Sequence, residues 1–136
     1  MVLIAIAAYL AATVVLVGWV IRGAAGAAWQ WLVPALLGIA LQGAFHLLAW
    51  RDAGAADMHF FAALSLVTLG MAALTTGFGS NGRMRALGVV VFPIAALCLG
   101  LYAGYGHRPP EQHDWRLMLH AWCALLAYST LAIAAL

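Results

Sequence analysis

Apolar residues fall along this chain in long unbroken runs, and polar residues are confined to short intervals between them. Five runs stand out, at residues 2–21, 31–50, 58–76, 86–105 and 115–136. Each comes close to the ~20 residues that an α-helix needs to cross a hydrocarbon core of ~30 Å. A backbone in lipid must satisfy its own hydrogen bonds, so each run is expected to be helical. The intervals RGAAGAAWQ, RDAGAAD, GFGSNGRMR and GHRPPEQHD are too short to hold a soluble domain. The pattern therefore predicts one domain over residues 1–136: an all-α integral membrane protein, an up-and-down bundle of five transmembrane helices. No basic residue precedes the first run and it outlasts an ordinary signal-peptide core, so it is read as a retained helix. Pro34 falls in the first turn of its run, where a missing N–H costs little, whereas Pro93 lies deeper and is expected to kink its helix.

Composition agrees with the pattern and narrows the function. Hydrophobic residues make up 67% of the 136 and charged residues 7%, too few for a water-facing surface. Six basic residues, scattered singly, exclude nucleic acid as a partner. Four acidic residues offer no paired carboxylates and no Ser-His-Asp arrangement. The charges do carry topology. Arg22, Arg83 and Arg85 lie on the face reached after odd-numbered runs, and Arg51, Arg108 and Arg116 on the other. Asp52, Asp57, Glu111 and Asp114 all join the second set, leaving +3 on the first face and −1 on the second, together the net +2. The imbalance points to a periplasmic N-terminus with Arg22, Arg83 and Arg85 in the cytoplasm.

Several familiar motifs dissolve in this context. Gly77, Gly79 and Gly82 fit G-x-G-x-x-G, but the dinucleotide fingerprint needs a preceding strand, and a helix precedes it here. It reads as a turn. Cys98 and Cys123 occupy separate runs without C-x-x-C or C-x-x-C-H spacing, so they read as core thiols. Trp29, Trp31, Trp50 and Trp115 fall at run ends, as an aromatic belt would.

The histidines are less easily dismissed. His46, His59, His107, His113 and His120 all gather toward one membrane face. His46 and His120 lie inside apolar runs, five and four residues from Arg51 and Arg116, so each sits about 6–8 Å below its arginine. Stepping from His46 by helical intervals meets Gly43, Gln42, Ile39 and Gly38; stepping from His120 meets Cys123, Ala124, Ala127 and Tyr128. Small and polar residues at such offsets mark a helix-facing side, so both rings are expected to face the bundle. His59, His107 and His113 read as solvated histidines at the interface. A neutral imidazole within an apolar bundle suits axial ligation of haem iron. It equally suits a hydrogen bond that glues one helix to another. Spacing leaves both readings open.

The closing segment WRLMLHAWCALLAYSTLAIAAL contains H-x-x-x-x-x-x-A-Y-x-x-x-x-x-A-x. It resembles the corresponding segment of the cytochrome c assembly membrane protein family, in the HemX/YpjD-like branch related to the CcsA haem-handling proteins. LQGAFHLLAW late in the second run, the Gly/Arg connector after the third and VVVFPIAAL opening the fourth follow in the same order. The resemblance spans nearly the whole chain and is most specific at His120, Ala127 and Tyr128. It implies a protein of the bacterial inner membrane that binds haem b during cytochrome c assembly. Its iron ligands would be His46 and His120, and its partners other cytochrome c assembly proteins and apocytochrome c. Family members run to about twice this length with further spans, so the chain is expected to match an N-terminal portion or a shortened relative. The tryptophan-rich W-G-x-x-W-x-W-D stretch of the lyases is absent, so the resemblance implies an assembly factor rather than an enzyme. Two other functions fit the same residues: a cofactor-free membrane scaffold or partner subunit with packing histidines, and a small b-type electron-transfer protein.

Overall fold

The computed structural model describes residues 1–23, 26–54, 56–78, 82–105 and 115–135, and among these every regular element is helical. The helices are α1 (Val2–Arg22), α2 (Trp29–Ala53), α3 (Phe60–Phe78), α4 (Gly82–Tyr105) and α5 (Trp115–Ala134). The first four are long and apolar enough to cross a membrane; α5 contributes a shorter apolar stretch, Leu119–Ala134.

α1, α2 and α4 overrun the apolar runs that predicted them, whereas α3 is shifted two residues later than its run and α5 ends two residues short of its own. Hydropathy marks where hydrocarbon would end, whereas a helix continues for as long as its residues tolerate it, and Arg, Gln and Met tolerate it well. α4 accordingly begins at Gly82 and draws Arg83, Met84 and Arg85 out of the predicted connector. α2 begins at Trp29, which places Pro34 in the second turn and not the first, so the Gln30 carbonyl lacks its regular i+4 donor. α1 and α2 both end on a glycine in the left-handed region, Gly23 at φ 62° and Gly54 at φ 73°. A side chain is disfavoured there, and the turn after each helix depends on its absence.

Four helices close a ring: α1 packs on α2 and α4, and α3 packs on α2 and α4. α5 lies outside the ring against α3. The pairing is up-and-down. Leu16 near the end of α1 meets Gly88 near the start of α4, while Ile6 meets Gly100 near its end. At the middle of the bundle Tyr9, Ala12, Leu16, Trp31, Ala35, Met71, Ala72, Val91, Phe92, Ala95 and Ala96 form the core. Alanine is frequent because close helix approach needs small side chains. Many large aliphatic groups point the other way: Leu3, Val14, Ile21, Leu47 and Leu97 are all more than half exposed. Large apolar residues outside and Gln42, His46, Ser65 and Thr75 inside is the distribution expected of a bundle whose solvent is lipid.

Trp31 departs from the aromatic-belt expectation. It is buried in the core, tilted against Phe92 at 6.4 Å, whereas Trp29 is exposed as a belt residue would be. The two-residue shift in the start of α2 rotates one indole outward and the other inward.

Candidate functional site at the histidine-bearing end

α2 buries Trp31, Ala35, Gly38, Gln42 and His46, a stripe repeating every three or four residues. Gly38 lets the Tyr9 ring of α1 lie directly on the α2 backbone, since a Cβ there would come within 2.8 Å of it. Tyr9 in that position reaches Gln42: its hydroxyl donates to Gln42 Oε1 at 2.7 Å. Gln42 Nε2 in turn donates to the Ser65 carbonyl at 2.9 Å and to Ser65 Oγ at 3.0 Å on α3. Ser65 Oγ lies 2.9 Å from His46 Nε2. A single polar chain thus links α1, α2 and α3 through the bundle interior.

The directions along this chain follow from counting hydrogens. The Ser65 hydroxyl already accepts from Gln42, and its own single proton finds an acceptor in His46 Nε2. The neutral imidazole then carries its proton on Nδ1, and among the described residues Nδ1 is buried without a hydrogen-bond partner. Such an orphan costs about 1–3 kcal/mol unless something occupies it. The ring itself is held flat against Tyr102 of α4, with centroids 4.6 Å apart and planes 8° apart. Trp50 approaches it at 5.7 Å and meets Trp122 of α5 edge-on at 5.4 Å.

A second imidazole shares the same tyrosine. His59, just ahead of α3, lies 5.8 Å from Tyr102 by ring centroids. Asp57 is 5% exposed, and its Oδ1 accepts from the His59 backbone N–H at 3.1 Å and from Nδ1 at 2.6 Å. The backbone bond is an Asx turn that starts α3. The ring bond decides the tautomer: a carboxylate oxygen accepts from Nδ1–H, so the neutral form of the ring has its lone pair on Nε2. Among the described residues Nε2 is buried and has no partner. This carboxylate-oriented imidazole is the arrangement by which metal-binding histidines are usually held.

The histidines predicted to form a pair are not brought together. His46 faces inward as expected, but His120 is exposed on α5. The small-residue offsets misled for α5, because Cys123, Ala127 and Tyr128 are exposed with it. The inner side of α5 is marked instead by Ser129, whose hydroxyl donates to the Val67 and Leu125 carbonyls at 3.0 and 2.8 Å. Gly70 of α3 makes room for it, a Cβ there falling 2.5 Å from Ser129 Oγ. Among the described residues the His46 ring meets Tyr102 and Trp50, and His120 stands on the exposed side of α5. An iron ligand offered by His59 fits this arrangement, and one from His46 fits once its proton moves to Nε2. His107 and His113 lie outside the described residues, and among the described residues no group of three or more metal-binding side chains converges.

His59 is the residue that sequence reasoning undervalued. The signal was present in D-M-H, an aspartate two residues ahead of a histidine at a helix start, a spacing that permits the Asx turn and the ring contact together.

Compared with known proteins, the chain matches no family model, no curated protein and no solved structure.

Proposed function

We propose that this chain is an integral membrane bundle of the bacterial inner membrane that binds haem b at its histidine-bearing end and serves cytochrome c assembly. Three things support the reading. The apolar outer surface and polar interior suit a lipid solvent. The segment around His120, Ala127 and Tyr128 resembles the cytochrome c assembly family. The observation that carries the reading is a pair of buried, unpartnered imidazole nitrogens, His46 Nδ1 and His59 Nε2, on either contact of one tyrosine ring. Bound there, haem iron would supply the redox and axial-ligand chemistry. The chain's own residues do the rest: Asp57 fixes the His59 tautomer, Tyr102 and Trp50 position His46, and Ser65 accepts the His46 ring proton's hydrogen bond when the tautomer shifts. His120, on the outer side of α5, is open to a ligand presented by a partner, with other assembly proteins and apocytochrome c as the partners proposed. The periplasmic N-terminus, with Arg22, Arg83 and Arg85 cytoplasmic, belongs to the same proposal.

A cofactor-free scaffold is the second reading, and the polar chain Tyr9–Gln42–Ser65–His46 favours it, because it already gives His46 a packing role. Absorbance spectra of variants separate the two. On the haem reading, His59→Ala and His46→Ala each abolish or shift the reduced α-band, while the polar-chain variant Tyr9→Phe leaves it in place. On the scaffold reading none of these proteins has a haem spectrum to lose.

A further inference from the structure

The end of the bundle away from the histidines is built differently. Between α1 and α2 opens a cleft of about 460 Å3. It is lined by Val14, Val15 and Gly18, by the indoles of Trp19 and Trp29, and by the polar groups of Arg22 and Gln30. Gly18 keeps the floor low: a Cβ added there would meet only the Arg22 guanidinium, at 3.8 Å. Arg85 of α4 joins from the next helix, with its guanidinium carbon 5.0 Å over the Trp19 ring. No acidic residue stands in either connector at this end, since Asp52, Asp57, Glu111 and Asp114 all belong to the opposite one. The Arg22 guanidinium therefore borders an apolar furrow, a second guanidinium, that of Arg85, lies over the Trp19 ring that lines it, and neither connector at this end carries an Asp or Glu.

We infer that this cleft is a binding site for an anionic phospholipid, with the phosphate against Arg22 and Arg85 and an acyl chain along Val14, Val15 and Gly18. A free phosphate would use the arginines and leave the furrow bare, and a zwitterionic lipid would fill the furrow but set an ammonium group beside the arginines along with its phosphate. Only an anionic lipid matches both halves. Arginine suits the role because its planar fork binds phosphate oxygens in pairs, and Arg85 is held in position by the indole. Basic clefts between helices near a membrane face favour such headgroups by about fivefold per arginine. The site rests on the reading that these helices span a bilayer.

The test uses the full chain reconstituted in phosphatidylcholine vesicles carrying a minor fraction of lipid with brominated acyl chains, read by quenching of tryptophan fluorescence. The expected result is stronger quenching by brominated phosphatidylglycerol than by brominated phosphatidylcholine at the same fraction. The excess should fall by about fivefold in relative affinity for Arg22→Gln or Arg85→Gln, stay unchanged for Arg51→Gln at the other end, and largely disappear only when Trp19 and Trp29, the two tryptophans lining the cleft, are both replaced by phenylalanine. Equal quenching by the two lipids overturns the site while leaving the membrane reading intact. Removal of the excess by inorganic phosphate at matched ionic strength overturns the lipid as occupant. Quenching by neither lipid overturns the membrane reading and the site together.

Discussion

Replacing Gln42 by methionine tests the polar chain directly, because it keeps the length of the side chain and removes both of its polar ends. Gln42 has no exposed surface, holds the Tyr9 hydroxyl at 2.7 Å and donates twice to Ser65. After Gln42→Met, Ser65 is still served by Thr68, which donates to its carbonyl at 2.9 Å, and by His46. The fully buried Tyr9 hydroxyl has nothing. One orphaned hydroxyl costs about 1–3 kcal/mol, and interhelical hydrogen bonds in membranes average about 0.6 kcal/mol each, so the loss should be about 2–4 kcal/mol. Tyr9→Phe leaves the opposite orphan, Gln42 Oε1, at a cost of about 1–3 kcal/mol. Making both changes leaves neither, so the double variant should be more stable than the sum of the singles predicts, by about 1–2 kcal/mol. Reversible unfolding in mixed micelles on titration with a denaturing detergent measures all four proteins on one scale. Strict additivity would refute the reasoning, since it would mean that Tyr9 and Gln42 do not meet.

The docking of α5 is equally exposed to test. Gly70→Ala should cost about 1–3 kcal/mol in thermal unfolding, because its Cβ falls 2.5 Å from Ser129 Oγ, and Ser129→Gly in the same chain should restore most of it. Cys123 is exposed and Cys98 buried, so a maleimide should label the folded chain in mild detergent once, at Cys123, and reach Cys98 only after unfolding. Two rapid labels on the folded chain would contradict the packing of α4.

The architecture was legible because apolar runs of about 20 residues leave a chain few choices. Runs of this length had to be helices, and short connectors had to make neighbours antiparallel. The inner face of α2 was legible too, since Gln42 and Gly38 lie on the same stripe as His46 and buried polar residues in such helices are costly to leave unpaired. α5 was not. An outer helix that packs on the ring mainly through α3 needs a narrow seam, here Ser129 over Gly70, and its small exposed residues imitate a packed face. Trp31 was misread for a related reason: position at the end of an apolar run fixes depth in the membrane but not rotation about the helix axis. His59 escaped because its burial comes from contacts with Asp57 and from Tyr102 on a distant helix, and no local pattern reports the second of these.

The measurement that bears most directly on the central claim is the oxidised and reduced absorbance spectrum of the full chain purified in mild detergent, with haem quantified as its pyridine complex. The account predicts a reduced α-band and haem close to one per chain, either as purified or after haem is added. A well-folded protein that stays colourless in the presence of added haem would contradict it, and would leave His46 and His59 as parts of a purely structural polar core.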